Sequence, residues 1–196
     1  MTATFVILPG LPGEGPYPEQ FTKAGGTHRE GLVVQIVPES GKPWVGNFQP
    51  GHGALTRVLA DPGGGLLLVI AEGLLYTVNP ETRRLVGPPV DAIARACQSA
   101  GWAALASFTE FVVVGPDGER WQTPRVAWDG IEDLRIEGNR LSARGWNAIL
   151  EQWEPIEIDL ETHQVLKHAF EGPDLLAPGP PRRGLLARVR SWATKR

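Results

Sequence analysis

Three carboxylates, Asp129, Glu132 and Asp133, form the densest group of acidic residues beside a predicted loop. Carboxylates in such positions can act as general acid and base, and with a loop histidine such as His52 they could serve a hydrolase. Nothing beside them supplies a nucleophile or an oxyanion donor. Asp129-Gly130 is also a turn signal, in which the aspartate bonds to nearby backbone. We therefore expect solvated or turn-capping carboxylates, and a hydrolase is the alternative function.

Tryptophan is abundant, with seven in 196 residues, and four of them fall between residues 121 and 153. Core packing is the ordinary role of a tryptophan, but several near turns can form a recognition surface, because each presents a large area at low entropic cost. The strand that follows alternates isoleucine with acids, which suits a basic partner. The predicted binding residues are Trp128, Asp129, Trp146, Trp153, Glu157 and Asp159.

Signatures of catalysis and metal binding are missing from the sequence. There is no G-x-S-x-G elbow, P-loop, H-E-x-x-H or EF-hand loop. His163 and His168 would point to opposite faces of one strand because they lie five residues apart. A lone cysteine, Cys97, excludes an internal disulfide and Cys-based zinc motifs, and we expect it to be a small buried hydrophobe. No catalytic residue, metal or cofactor is predicted.

A short turn pattern recurs four times, each time as an apolar strand end, a turn with an acid, and a second strand. Its acids are spaced by 42, 36 and 44 residues and are Glu39, Glu81, Asp117 and Glu161. Continuous apolar runs at 66–71 and 111–114 predict inner strands covered on both faces, whereas Ile156, Ile158 and Leu160 alternate with acids as in an outer strand. With 24 Gly and 18 Pro between these runs, the sequence predicts an all-β chain of antiparallel meanders.

The repeat resembles the blades of β-propeller repeat proteins, in which a strand, an acidic turn and a returning strand recur, as in Leu75-Tyr-Thr-Val-Asn-Pro-Glu-Thr. The resemblance covers roughly residues 30–170 and concerns architecture alone. It implies a propeller-like meander of about four repeats and no particular function. The one Trp-Asp dipeptide, Trp128-Asp129, precedes a strand instead of closing a blade as in WD repeats.

Two short helices are also expected. Asp91 is a plausible N-cap, Ile93 and Cys97 lie four apart, and Gly101 could close the end of an inserted helix near 91–100. The second helix is basic and amphipathic, over 185–196, with Leu185, Leu186, Val189 and Trp192 on one face. The predicted organisation is a β-repeat domain over 1–171, a Pro/Gly-rich linker over 172–184 and this tail.

Charge divides the chain into two parts. Residues 182–196 carry six basic residues and no acid, which leaves 13 basic and 22 acidic residues elsewhere. The acidic remainder disfavours nucleic acid as a partner of the body. The tail, through residues such as Arg188, Val189 and Trp192, is a candidate for weak contact with a partner or an anionic membrane surface, although packing on the body or disorder is favoured over membrane binding for so short a segment.

These features predict a non-catalytic protein-binding module, of an inhibitor, immunity or scaffold type, that presents an acidic, Trp-bearing surface to a basic protein. The N-terminal sequence has no basic leader and its apolar stretch ends at Pro9, so with a single cysteine we expect a cytoplasmic protein. A membrane-associated scaffold is a third class, which depends on the tail alone.

Overall fold

A computed structural model describes residues 3–99 and 101–170. The regular structure of these residues is entirely β, with sixteen strands in four sheets of four. The chain divides into two compact units, Met1–Ala94 and Arg95–Arg196. The all-β prediction is therefore confirmed. The predicted linker and tail, with Arg188, Val189 and Trp192, lie outside the described residues.

The first unit holds two sheets. In the first sheet the strand order is β1-β3-β4-β2, with β2 parallel to β4 and the other pairs antiparallel, where the strands are β1 (Thr4–Ile7), β2 (Glu19–Phe21), β3 (Leu32–Val37) and β4 (Trp44–Phe48). The second sheet is an antiparallel meander in chain order of β5 (Arg57–Ala60), β6 (Leu67–Ala71), β7 (Leu74–Asn79) and β8 (Arg84–Leu85).

The second unit holds two antiparallel meanders, again in chain order. The third sheet comprises β9 (Arg95–Ser99), β10 (Trp102–Ala106), β11 (Phe111–Val114) and β12 (Arg120–Gln122). The fourth sheet comprises β13 (Ile131–Glu137), β14 (Arg140–Asn147), β15 (Gln152–Asp159) and β16 (Gln164–Lys167). No helix long and apolar enough to cross a bilayer occurs in the described part of the chain.

The inserted helix predicted near 91–100 is wrong, because this segment supplies strand β9 and its pairing with β10. Ala92 has a φ of +64°, which a right-handed helix does not accommodate. Gly101, with a φ of +80°, leads directly into β10 and does not cap a helix. The helix propensity of the alanines is overridden here. The buried backbone of β10 needs a hydrogen-bonding strand along the edge that does not face β11, and β9 provides it.

The recurring acidic turn occupies the same place in every sheet. Glu39, Glu81, Asp117 and Glu161 each lie in the connection between the third and fourth strands of their sheet in chain order. The continuous apolar run of β6 is buried at all five positions, and β15 alternates between buried and half-buried from Ile156 onward. The repeat pattern and the inner position of the two apolar runs are confirmed, whereas the outer position predicted for the alternating strand is wrong, because β15 pairs with both β14 and β16.

Each unit has its own apolar core formed by both of its sheets. In the first unit Phe21, Phe48 and Tyr76 stack in sequence, with ring centroids 4.6 and 5.4 Å apart. In the second unit the aliphatic residues of β11, β14 and β15 pack together, and Gly145 of β14 lies at their centre. Burial of both sheet faces explains why the inner strands β6, β10 and β11 contain no polar residue.

Gly145 tests the packing of the second core. A Cβ atom there would lie 2.7 Å from Cδ1 of Ile156 and 2.9 Å from the Cβ atoms of Ala127 and Ala169. We expect Gly145→Ala to lower the free energy of unfolding by about 1 to 3 kcal/mol, because those atoms must move apart. Urea denaturation measures this. Gly13→Ala is the control, since a Cβ atom there meets nothing within 4 Å, and an equal loss in both variants would contradict the prediction.

Tyr76 tests the first core. Its hydroxyl donates a 2.8 Å hydrogen bond to the Gln49 carbonyl, and burial, aided by the negative charge of Asp91, raises the pKa of Tyr76 to about 12. Folding therefore favours the neutral phenol. Its contribution to the free energy of unfolding is complete below pH 10, where the unfolded tyrosine is also neutral. That contribution is lost as the pH rises from 10 toward about 12.

We expect Tyr76→Phe to cost about 1 kcal/mol at pH 8, through the lost hydrogen bond, and to flatten the fall in stability above pH 10. Guanidinium denaturation across pH 8 to 12 measures both effects. Tyr17→Phe is the matched control, since Tyr17 is 76% exposed. A Tyr76→Phe profile parallel to that of the wild type above pH 10 would refute the interpretation.

Candidate functional site

A cleft of about 290 Å³ opens in the second unit where the β11–β12 turn of the third sheet meets the β15–β16 turn of the fourth. We call it the turn cleft, and its lining residues are Trp102, Gly115, Pro116, Asp117, Glu119, Trp121, Glu161 and His163. Both indole side chains are half-buried, whereas the three carboxylates are exposed. The cleft therefore combines aromatic walls with an acidic rim.

The third-sheet wall of the cleft is fixed by a tight turn. Gly118 donates to the Gly115 carbonyl at 3.0 Å, and the Asp117 carboxylate accepts from the Glu119 N–H at 3.0 Å. Trp102 lies against Gly115, where a Cβ atom would come within 3.0 Å of its ring. Glycine at this position thus lets the indole lie close to the turn backbone, beside the carboxylate of Asp117.

The fourth-sheet wall is fixed by a side-chain cap. Asp159 accepts hydrogen bonds from the N–H groups of Glu161 and Thr162, at 3.1 and 2.9 Å. These bonds hold the pKa of Asp159 below its usual range, and the bond from the Thr162 N–H has the largest effect. His163 follows with a φ of +58° and stacks on Trp121, with ring centroids 4.6 Å apart and planes 24° apart. Asp159, predicted to bind a partner, thus positions the turn.

The electrostatics of the turn cleft favour a cation. Asp117, Glu119 and Glu161 line it, and neither lysine nor arginine is among its lining residues. Indole faces attract cations through the ring quadrupole, and carboxylates add direct charge and hydrogen-bond acceptors. The arrangement is therefore complementary to a positively charged group with N–H donors.

The first unit contains the same pattern in its own two sheets. There Asn79 accepts from the N–H groups of Glu81 and Thr82 at 3.0 and 2.9 Å, as Asp159 does in the second unit. Arg83 then takes a φ of +57° and places its guanidinium over Trp44, 5.8 Å from the ring centroid. Arg83 and Trp44 therefore correspond to His163 and Trp121.

The corresponding groups of the first unit satisfy each other. The Glu81 carboxylate accepts from the Glu39 N–H at 2.6 Å, and the Trp44 indole N–H donates to the Pro80 carbonyl at 2.9 Å. In the second unit the Glu161 carboxylate accepts no hydrogen bond from any described residue, and the buried indole nitrogen of Trp121 has no described partner. The second copy of the pattern is thus open and the first is closed.

The structure gathers the three predicted tryptophans at one end of the fourth sheet. Trp146 and Trp153 face each other across β14 and β15, edge to face at 5.6 Å. The backbone N–H of Trp128 donates a hydrogen bond to the Trp146 carbonyl at 3.0 Å. All three side chains are half-buried, while Ile149 and Leu150 of the adjoining hairpin are exposed. We call these five residues the tryptophan end.

Cations pair with several acids of the fourth sheet, among them the predicted binding residue Glu157. Glu157 pairs with Arg140 at 3.0 Å and with Lys167 at 2.5 Å. These contacts hold the pKa of Glu157 below its usual range, and the Lys167 hydrogen bond has the largest effect. Arg144 lies 3.3 Å from Glu132 and 3.5 Å from Asp133. These cations neutralise much of the outer face of the fourth sheet.

The residues of the alternative hydrolase do not assemble within either unit. His52 belongs to the first unit, whereas Asp129 and Asp133 belong to the second. Among residues 3–99 and 101–170, no group of three or more His, Cys, Asp and Glu could hold a metal ion. Cys97 is half-buried and packs against the second core.

Sequence reasoning missed most of the turn cleft. Trp102, Trp121, Asp117, Glu119 and His163 were not predicted to bind anything, although the acidic turns were recognised as a repeat. A comparison of the four turn copies in the sequence could have indicated the cleft. A tryptophan follows the turn in the first and third copies, and Glu-Thr recurs in the second and fourth. No protein-family model matches the chain, and no curated protein matches it in sequence.

Glu81 and Glu161 offer a matched test of the closed and open copies. Both are exposed and follow the same cap, but only the Glu81 carboxylate bonds to the facing turn. We expect Glu81→Ala to cost about 0.5 to 1.5 kcal/mol of unfolding free energy. Glu161→Ala should change it by less than about 0.5 kcal/mol. Chemical denaturation of both variants measures the two changes in unfolding free energy. Equal losses of unfolding free energy would show that the Glu81 hydrogen bond does not distinguish the two copies.

Proposed function

We propose that this protein is a non-catalytic protein-binding module that holds a cationic side chain of its partner in the turn cleft. The observation that carries the proposal is the pairing of two indole walls with three carboxylates in a cleft lined by no lysine or arginine. A peptide segment with an exposed basic residue fits such a cleft, because the cation enters while the flanking backbone stays outside.

Arginine suits the cleft better than lysine does. A guanidinium is flat, stacks on aromatic rings and donates two parallel hydrogen bonds to a carboxylate, whereas an ammonium is a compact and strongly hydrated charge. The chain itself places arginine over tryptophan in three pairs, at 5.8, 5.6 and 5.9 Å to the ring centroids: Arg83 with Trp44, Arg125 with Trp128 and Arg144 with Trp153.

The tryptophan end is the proposed second contact with the same partner. Its half-buried indoles and the exposed Ile149 and Leu150 can bury apolar area, while the turn cleft supplies charge recognition. An inhibitor or immunity-type protein of the cytoplasm combines these properties, and the single cysteine of the chain favours that compartment.

The finer architecture that we propose is propeller-like. Three of the four sheets are simple four-stranded meanders, and the connection between their third and fourth strands repeats through the chain. Those are the features of propeller blades. In such an arrangement residues 1–171 would form one repeat domain, and the acidic turns would recur once per blade.

Peptide binding tests the proposed function. Fluorescence anisotropy with the full chain would compare a labelled peptide containing two adjacent arginines, in a glycine and serine background, with its citrulline counterpart. Citrulline keeps the shape of arginine but removes the charge. We expect binding of the arginine peptide alone, and about tenfold weaker binding after the double substitution Asp117→Asn and Glu161→Gln, as expected for the loss of a charge-assisted hydrogen bond.

The matched control is the double substitution Glu110→Gln and Glu151→Gln, which removes the same charge from the same unit, at the ends of β11 and β15 that lie opposite the cleft turns. It should leave the affinity within about twofold of wild type, since distant surface charges act weakly at physiological salt. Equal binding of the citrulline peptide, or an equal loss in the control variant, would refute recognition of arginine by the turn cleft.

A further inference from the structure

We propose that the chain's own C-terminal segment, residues 182–196, occupies the turn cleft until a partner displaces it. This inference rests on the proposed function, because it assigns the cation that the cleft holds in the absence of a partner. The segment would act as an internal competitor, so that only a partner with a better placed arginine, or with additional contacts, gains access to the cleft.

Charge complementarity is the first argument. The segment carries six positive charges without an acid, on Arg182, Arg183, Arg188, Arg190, Lys195 and Arg196, and the rest of the chain has 13 basic and 22 acidic residues. The turn cleft holds three exposed carboxylates with two indole walls. Five of the six cations are guanidinium groups, which the cleft is best suited to bind.

The three acids of the fourth sheet that already have cationic partners are poorer destinations for this segment. Glu157 already contacts Arg140 and Lys167, while Glu132 and Asp133 already contact Arg144. An arriving arginine would have to displace a cation there. The Glu161 carboxylate of the turn cleft, in contrast, has no hydrogen-bond donor among the described residues.

Chain length is the second argument. β16 begins immediately after His163, so the strand starts at the cleft and spans about 13 Å in its four residues. The described chain ends at Phe170, whose ring packs on Trp128 at 4.6 Å and under Arg125 at 4.8 Å. Twelve residue steps separate Phe170 from Arg182 and can span about 40 Å.

Seven residue steps separate His163 of the cleft from Phe170 and can span at most about 25 Å, so the twelve steps that follow are long enough to return to the cleft. Tethering also raises its effective concentration near the cleft to the millimolar range. A single arginine contact that would be weak between separate molecules can therefore be well populated within one chain.

The test compares the full chain with a full-length variant in which all six basic residues of the segment are replaced by glutamine. We expect this neutral-tail variant to bind the labelled arginine peptide at least about tenfold more tightly, because the competitor has been removed. We further expect a separate peptide of residues 182–196 to bind the neutral-tail variant, and to lose that binding when Asp117→Asn and Glu161→Gln are added.

The outcomes separate this inference from the proposed function. Equal affinity of both full-length proteins for the arginine peptide would overturn docking of the tail and leave the proposed function standing. Failure of both proteins to bind the arginine peptide, together with failure of the tail peptide, would overturn the proposed function itself. Tail-peptide binding that survives the cleft substitutions would place the segment elsewhere and also overturn the inference.

Vesicles provide a readout that does not depend on the peptide. Sedimentation with phosphatidylcholine vesicles that contain phosphatidylserine reports how available the basic segment is. We expect the cleft double variant to bind these vesicles more strongly than the control variant Glu110→Gln and Glu151→Gln, since both have the same net charge and only the former releases the segment. Equal partition of the two variants would overturn the proposal.

Discussion

The side-chain cap at the final turn of each unit controls the geometry on which the candidate site depends. Asn79 and Asp159 each accept two backbone N–H groups, which fixes the turn and places the following Arg83 or His163 in the left-handed region. That conformation brings its side chain onto a tryptophan of the neighbouring sheet. The cap thus links a local hydrogen-bond preference to the packing of two sheets.

The two units make different hydrogen bonds with the same repeated pattern. In the first unit Glu81 bonds to the backbone of the facing turn and Trp44 donates to Pro80, so the polar groups satisfy each other. In the second unit Glu161 lines an open cleft. An acid that contributes no internal hydrogen bond adds little to stability, and its carboxylate remains available to a ligand.

Sequence alone predicted the features that follow from short-range chemistry. The turns at Glu39 and its three counterparts, and the burial of the 66–71 run, depend on local residue types and alternation. The strand within 91–100 could not be predicted in this way. Its alanines favour a helix locally, and only the pairing with β10, a contact between two strands, makes it a strand. The stacking of His163 on Trp121 likewise requires the packing of two sheets, which no single strand pattern encodes.

The two copies of the pattern differ in the side chain that lies on the tryptophan, which is Arg83 on Trp44 in the first unit and His163 on Trp121 in the second. Arg83 brings a permanent positive charge to Trp44 and lies 3.5 Å from Glu19, so the first unit supplies its own partner for the indole. No lysine or arginine lines the cleft around Trp121, so the arginine that we propose for a partner would take the place that Arg83 has in the first unit.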